Sequence, residues 1–343
     1  MNKITIIGTG SVGSTIAYAL SLLGTASEIV MIDINNEKAL GEALDIRQGS
    51  PFCSPFTVYA GSYEDAVGSD IVIITSGIAR KPGQSRLELA QTNVNVLKSI
   101  IPNITRYAGE TNYLIVSNPV DVMTYVFCKC SGIPDNKIIG SGTILDTSRL
   151  RTRISEYYKI NQSNVHAYVL GEHGDSSFIP WSIANISNIP ISRYHDSLLR
   201  SDNIVPQFDF SEVEEYVRKS GASVIERKGA TFYAVSTSVC YICKCLLTGI
   251  DTTMTVSTML HGEYGLKDIC LSILNIIGNN GVQNKIMLPL AWYRSLYGSQ
   301  DRCCICGSRS TYYSWCCKCN VSAEGHRIQR KGRDCQETLR SDR

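Results

Sequence analysis

The first half of this 343-residue chain alternates two hydrophobic rhythms. Lys3–Ile7, Glu28–Ile34, Ile71–Thr75 and Tyr113–Ser117 are short runs rich in Ile and Val with no polar face. Such runs suit strands buried on both sides, as in a parallel sheet. Between them, Val12–Leu23, Lys38–Arg47 and Leu87–Tyr107 place apolar residues at helical spacing. Strand–helix alternation of this kind predicts a doubly wound α/β lobe, and a short run at Ile138–Gly140 closes the sheet. From about Leu145 the rhythm changes to longer helices and antiparallel-looking strands, such as Asn164–Leu170 and Thr253–Met259. That change predicts an α+β second lobe. Ser192–Asp209 is polar and patternless and reads as a surface connection.

Composition breaks near Leu290. Seven of the fourteen cysteines lie in residues 291–343, which hold ten Lys/Arg against five Asp/Glu; the first 290 residues hold 23 against 26. Only five of the last 53 residues are Ile, Leu, Val or Met, so the tail cannot bury much apolar surface. The upstream segment is long enough for two lobes. Its slight negative charge argues against a nucleic-acid footprint. No run of about 18 apolar residues exists to span a membrane, and the N-terminus lacks signal-peptide features. A cytoplasmic protein with reduced thiols is expected. Cys53, Cys128, Cys130, Cys240, Cys243, Cys245 and Cys270 then read mostly as small core residues.

Three motifs carry chemistry. Gly8-Thr9-Gly10-Ser11-Val12-Gly13 follows the first strand and opens a helix. Gly8 permits the tight turn, Gly10 admits a pyrophosphate, and Gly13 lets helix and strand pack closely; the helix N-terminus offers N–H groups to phosphate. Asp33 ends the second strand twenty residues after Gly13. A carboxylate there accepts from a ribose 2′-OH and repels a 2′-phosphate, which favours NAD over NADP. Ser76–Arg86 lies beyond a parallel strand's carboxyl end, with Arg80, Lys81 and Arg86 as cations and Gly77 and Gly83 as hinges. It reads as a lid for an anionic substrate or as a solvated basic loop. Gly171-Glu172-His173-Gly174-Asp175 puts an imidazole at a strand end. Imidazole exchanges protons near neutral pH and needs a carboxylate to fix its tautomer. Asp146 is the candidate, with a helix N-cap as its bland alternative; for Arg149 the bland alternative is a surface helix charge.

Residues 1–290 resemble the lactate/malate dehydrogenase family, on its bacterial NAD-dependent lactate branch. The resemblance rests on the Gly8 turn, Lys81-Pro82-Gly83 before Arg86, Ser117-Asn118-Pro119-Val120-Asp121, Asp146 with Arg149, and the His173 motif. It implies an α/β fold with a Rossmann-type doubly wound parallel sheet in residues 1–144 and an α+β substrate/catalytic domain in 145–290. It implies NAD as cofactor and a small 2-oxo or 2-hydroxy acid as substrate. By resemblance, His173 gives a proton to the substrate carbonyl, Asp146 holds His173, Arg149 binds the substrate carboxylate, and Arg86 polarises the carbonyl. Asn118 sits near nicotinamide and substrate, with Asn118-Pro119 as a candidate cis peptide. Thr231 belongs to the substrate pocket; Val12, Gly77 and Val235 line the cofactor. A cytoplasmic homotetramer in a glycolytic, fermentative setting is also implied. Arg151 and His166 match an allosteric fructose 1,6-bisphosphate site between subunits, or are an ordinary helix Arg and a packed strand His.

Arg80 complicates the substrate. It stands where lactate enzymes of the family usually carry Gln and malate enzymes carry Arg. A pocket Arg pairs with the second carboxylate of oxaloacetate and is left unpaired by the methyl of pyruvate. If the loop closes differently, Arg80 points to solvent and Lys81 or Ala79 lines the pocket. Glu172 and the whole-chain likeness favour pyruvate to (S)-lactate; malate dehydrogenase and an inactive NAD-binding interaction protein are the alternatives. Residues 291–343 form an atypical Cys-rich tail. The pairs Cys303/Cys306 and Cys316/Cys319 have zinc-ligand spacing, but the tail is read as out of frame or disordered and no metal is expected.

Overall fold

A computed structural model describes residues 2–78, 86–198 and 208–288, with the backbone alone at Arg86. The first four Ile/Val runs become β1 (Lys3–Ile7), β2 (Glu28–Ile32), β4 (Ile71–Ile74) and β5 (Asn112–Ile115), and Ile138–Gly140 becomes β6. A further strand, β3 (Thr57–Ala60), was not legible in the sequence. Only Val58 of its four residues is buried, because it lies at the sheet edge beside β2. The helices between are α1 (Ser11–Leu22), α2 (Asn36–Gln48), α3 (Arg86–Tyr107), α4 (Val120–Cys130) and α5 (Ile144–Tyr158).

Spatial order in the parallel part is β3-β2-β1-β4-β5-β6. The chain runs outward in both directions from the β1/β4 pair, so the connections diverge there and leave a crevice at the carboxyl ends. Gly8, Asp33, Thr75 and Ser117 each stand at or just past one of those ends. Ile4, Ile6, Ile71, Val72, Ile73 and Ile74 are fully buried, which explains why these strands show no polar face.

The second half consists of β7 (Val165–His166), β8 (Asn185–Ile186), β9 (Ile189–Pro190), α6 (Ile191–Tyr194), α7 (Phe210–Lys228), α8 (Tyr233–Thr248), β10 (Thr252–His261), β11 (Lys267–Gly278) and β12 (Gly281–Ile286). Two expectations change here. Asn164–Leu170 supplies only the two-residue β7 and an isolated bridge from Leu170 to Phe178. The long strand expected at Thr253–Met259 is present within β10, but it prolongs the first sheet. Ser257 pairs antiparallel with Gly140 of β6, and β11 and β12 follow, giving nine strands. Gly140 permits that approach, since a Cβ there would lie 2.3 Å from Thr124 Oγ1 and 2.9 Å from Ser257 Cβ. The polar stretch from Ser192 is helical through Tyr194, followed by a 3₁₀ turn at His195–Ser197.

One apolar core lies between the sheet and α3/α4, and another lies under α1 and α8. Helix α8 therefore covers a face of the first half, and Ser236 Oγ donates to Val12 O at 3.3 Å. A third core joins α5, α7 and β7, with Tyr157, Tyr158, Trp181, Phe208 and Phe210 packed edge to face around it. Cys240, Cys243, Cys245 and Cys270 are core residues as expected, whereas Cys53, Cys128 and Cys130 are only half-buried. No described helix is long and apolar enough to cross a membrane.

Candidate active site

The glycine turn has the geometry its spacing implies. Gly8 has φ +101°, and a Cβ there would lie 2.7 Å from Ser76 N. A Cβ on Gly13 would lie 1.9 Å from Gly8 O, so helix α1 meets the turn in direct backbone contact. At Gly10 a Cβ would meet nothing within 4 Å. Gly10 is also the N-cap of α1 and no side chain caps that helix, so its first-turn N–H groups have no side-chain acceptor from the cap. These features fit a dinucleotide pyrophosphate. Asp33 lies beside this turn. Its Oδ2 accepts from Thr9 N at 2.6 Å and Thr9 Oγ1 at 3.1 Å, and its Oδ1 from Asn35 N at 2.9 Å. Burial works against its charge, but these donors prevail and hold its pKa below the usual value. A carboxylate kept ionised there fits a ribose diol.

Two loops converge beside the turn. Thr75 Oγ1 donates to Gly8 O at 2.7 Å, Ser76 Oγ to Ile7 O at 2.9 Å, and Ser117 Oγ to Ser76 O at 2.6 Å. Asn118-Pro119 is a cis peptide, as the sequence led us to expect. Asn93, on α3, ties the loops together. Its Oδ1 accepts from Ile78 N at 2.8 Å and its Nδ2 donates to Asn118 O at 2.8 Å. Gly77 lies against this amide, where a Cβ would be 3.4 Å from Asn93. Nothing in the sequence marked Asn93, because an Asn inside a helical pattern reads as a solvated position.

The proton-transfer group assembles from separate elements. His173 Nδ1 lies 2.6 Å from Asp146 Oδ2, and Arg149 Nη1 donates to Asp146 Oδ1 at 2.8 Å. The N-cap of α5 is Thr143, so Asp146 sits inside the first turn and the capping alternative fails. Arg149 is likewise no surface charge, its side chain being 18% exposed. Gly221 of α7 leaves room beside it, since a Cβ there would lie 3.5 Å from Arg149 Nη2. The His173 loop is anchored by Gly171, which exchanges both backbone bonds with Ser272 of β11. It is also held by Asp121 Oδ2, which accepts His173 N at 2.8 Å, while Asp121 Oδ1 accepts Ser257 Oγ at 2.6 Å. Asp121 was part of a recognised motif, but only folding shows what its carboxylate holds.

Charge follows from these contacts. Burial alone lowers the His173 pKa, but the charge and hydrogen bond of Asp146 outweigh it and raise it above the ordinary value. Burial opposes the Asp146 charge, yet His173 and Arg149 keep its pKa low. Asp121 makes no ion pair among the described residues. Burial pushes its pKa up to about 6, against the bonds from Ser257 and His173 N. With Nδ1–H committed to Asp146, Nε2 is the exchangeable position, and among the described residues it has no protein hydrogen-bond partner.

The other expected positions are distributed around this centre. Val12 and Val235 are half-buried and pack against one core cluster. Thr231 is half-buried in the short link between α7 and α8. Arg151, on α5, donates from Nε to Ala167 O at 3.1 Å and stacks on Tyr168, 5.1 Å from the ring centre. His166, the neighbour of Ala167, is exposed on β7. Arg80 lies outside the described residues, as do the side chain of Arg86 and the tail 291–343.

A Rossmann-type sheet, a pyrophosphate-ready glycine turn and an Asp–His pair across the crevice define a dinucleotide-dependent oxidoreductase. Residues 2–140 match the NAD binding domain of lactate/malate dehydrogenase, and residues 143–291 match the alpha/beta C-terminal domain of the same family. The chain belongs to the lactate/malate dehydrogenase family, and its cofactor is NAD. It is 46% identical over 289 residues to an L-lactate dehydrogenase of Acetivibrio thermocellus, covering 84% of this chain and 90% of that one. It is 45% identical over 291 residues to an L-lactate dehydrogenase of Thermoanaerobacterium saccharolyticum, covering 85% and 93%. The fold matches the crystal structure of a lactate dehydrogenase from a deep-sea metagenome library with TM-score 0.80 at 36% identity, over 84% of this chain and 91% of that one. A minor L-lactate dehydrogenase from Enterococcus mundtii matches with TM-score 0.79 at 36% identity, over 86% and 94%.

Proposed function

We propose that this protein is an NAD-dependent L-lactate dehydrogenase that interconverts pyruvate and (S)-lactate. The observation that carries the chemistry is the Asp146–His173 contact at 2.6 Å, with Arg149 on the other carboxylate oxygen. The names of the two bacterial relatives carry the substrate. When bound, NADH supplies the hydride. Gly8, Gly10, Gly13 and the N-terminus of α1 would hold its pyrophosphate, Asp33 its ribose, and Asn118 and Val235 its nicotinamide end, with Val12 and Gly77 also lining the cofactor.

His173 gives its Nε2 proton to the substrate carbonyl oxygen as that oxygen gains electron density, and takes it back in the reverse direction. Asp146 keeps the imidazolium favourable and correctly turned. Arg149 presents its planar guanidinium to the substrate carboxylate. Arg86 stabilises the developing alkoxide, and Thr231 completes the pocket wall.

Arg80 favours oxaloacetate on charge, but the names of the relatives favour pyruvate. Steady-state NADH oxidation by the purified protein decides between them. A higher kcat/KM for pyruvate is expected; a higher value for oxaloacetate overturns the substrate, and NADH binding without turnover of either acid marks an inactive binding protein. Residues 1–144 and 145–290 serve as nucleotide and substrate domains of a cytoplasmic homotetramer. Fructose 1,6-bisphosphate bound by Arg151 and His166 acts as effector; an activity unchanged by that ester removes this part of the reading.

A further inference from the structure

None of the seven cysteines among the described residues is in a disulfide. Two of them meet across different elements. Cys128 is in the last turn of α4, Cys270 is in β11, and the Cys270 thiol hydrogen-bonds Cys128. Cys270 belongs to the core cluster between the sheet and α4, and Cys128 packs against that cluster. Neighbouring contacts set the register of helix on strand. Asp268 is two residues before Cys270; its carboxylate pairs with Lys129 and accepts Tyr125 Oη at 3.3 Å. The sulfur atoms are therefore held together by the fold.

Depth distinguishes the two thiols. Cys128 is half-buried and Cys270 is fully buried. We infer that Cys128 and Cys270 form an oxidation site that a small hydroperoxide converts to a disulfide. The Cys128 sulfur, in the less buried of the two residues, attacks the peroxide, the O–O bond breaks, Cys128 becomes a sulfenic acid, and water or an alcohol leaves. Cys270 then attacks the Cys128 sulfur, the S–S bond forms, the S–O bond breaks, and the Cys270 proton leaves with the hydroxyl as water. Two electrons pass from the thiol pair to the peroxide. Burial pushes the Cys270 thiol well up, which suits a resolving partner more than the first nucleophile. Its contact intercepts the sulfenic acid before irreversible oxidation.

The bond joins parts that serve the candidate active site. Helix α4 begins directly after Asn118-Pro119 and carries Asp121. Ser272, two residues past Cys270, holds Gly171 at the start of the His173 loop. A disulfide here closes a long loop of chain and restrains the unfolded state.

The test treats the full-length reduced protein with hydrogen peroxide under native conditions, then applies differential alkylation and peptide mass mapping. Cys128 and Cys270 are expected to lose label together, to appear as one disulfide-linked peptide pair, and to recover with dithiothreitol. Cys130, half-buried on the same helix, and Cys243, buried in α8, serve as comparison sites. The oxidised protein is expected to melt at a higher temperature. In the Cys270→Ser variant, Cys128 is expected to be trapped by a sulfenic-acid reagent; in Cys128→Ser, Cys270 is expected to stay reduced. Three results overturn the inference: Cys128 over-oxidised in the wild type while Cys270 keeps its label, Cys128 paired with any other cysteine including those of residues 291–343, or both thiols unchanged.

Discussion

Replacing Asp146 with Asn removes one charge and keeps the side chain's shape. In the wild type that charge lies 2.6 Å, atom to atom, from His173 Nδ1, in a residue only 7% exposed. Taking the charge centres as about 4 Å apart at an effective dielectric of about 20, their attraction is worth about 4 kcal/mol. An attraction of that size favours the charged imidazolium and raises the His173 pKa. Burial, which pulls the His173 pKa down, remains in the variant. Asp146→Asn should therefore move the His173 pKa from above its ordinary value to below it.

Reduction of pyruvate needs protonated His173, so kcat/KM is high at low pH and falls as pH rises through the His173 pKa. In the variant that fall should begin at lower pH, because the Asp146 charge that raises the His173 pKa is gone. Loss of orientation should also lower the plateau by about 10²–10⁴-fold, the range of acid–base contributions. Oxidation of lactate needs neutral His173, and its rising limb should move the same way. The assay is kcat/KM for NADH-dependent pyruvate reduction against pH, in both proteins, at saturating cofactor. A midpoint that does not move, with a plateau close to wild type, would refute the electrostatic coupling. Stability gives an independent check. The raised His173 pKa contributes stability that is fully present below about 6.5 and is lost as pH rises through the raised value. Melting temperatures of wild type and variant should converge with rising pH.

Asp121 has the same sign in a more acidic window. Its pKa rises from 3.8 to about 6 on folding, so its contribution falls as pH rises between those values, by about 3 kcal/mol in all. In Asp121→Asn that pH-dependent loss should vanish, and the difference in urea midpoints between variant and wild type should shift toward the variant from about pH 4 to pH 7; a constant difference counts against it. Gly13→Ala puts a Cβ 1.9 Å from Gly8 O and should destabilise the protein by more than about 3 kcal/mol. Gly10→Ala meets no atom within 4 Å, so it should leave melting unchanged and weaken NADH in a fluorescence titration. Equal effects of the two glycine changes on melting would contradict this geometry. Arg80→Gln should raise the ratio of pyruvate to oxaloacetate kcat/KM; an unmoved ratio places Arg80 away from the substrate.

The doubly wound half of the fold is legible because its determinants are local. A strand buried on both faces must be apolar throughout, so β1, β2, β4 and β5 appear as Ile/Val runs. A turn against phosphate must lack side chains, so Gly8, Gly10 and Gly13 appear as a motif. The edge strand β3 left little trace because three of its four residues are not fully buried. The chemistry was legible as residue types: His173, Asp146 and Arg149 each stood out by position or motif.

Their assembly was not legible. Asp146 lies 27 residues from His173 and Asp121 lies 52 residues from it. Residue spacing does not fix how α5, α4 and the His173 loop meet. That meeting depends on packing: Gly140 lets β6 accept Ser257 of β10, β11 then holds Gly171 through Ser272, and Asp121 locks the His173 backbone. It also decides charge. Burial raises the Asp121 pKa while the paired Asp146 is lowered, although both are aspartates in the first turn of a helix. Periodicity and motif spacing are carried by neighbours in the chain; proton affinity is set by neighbours in space.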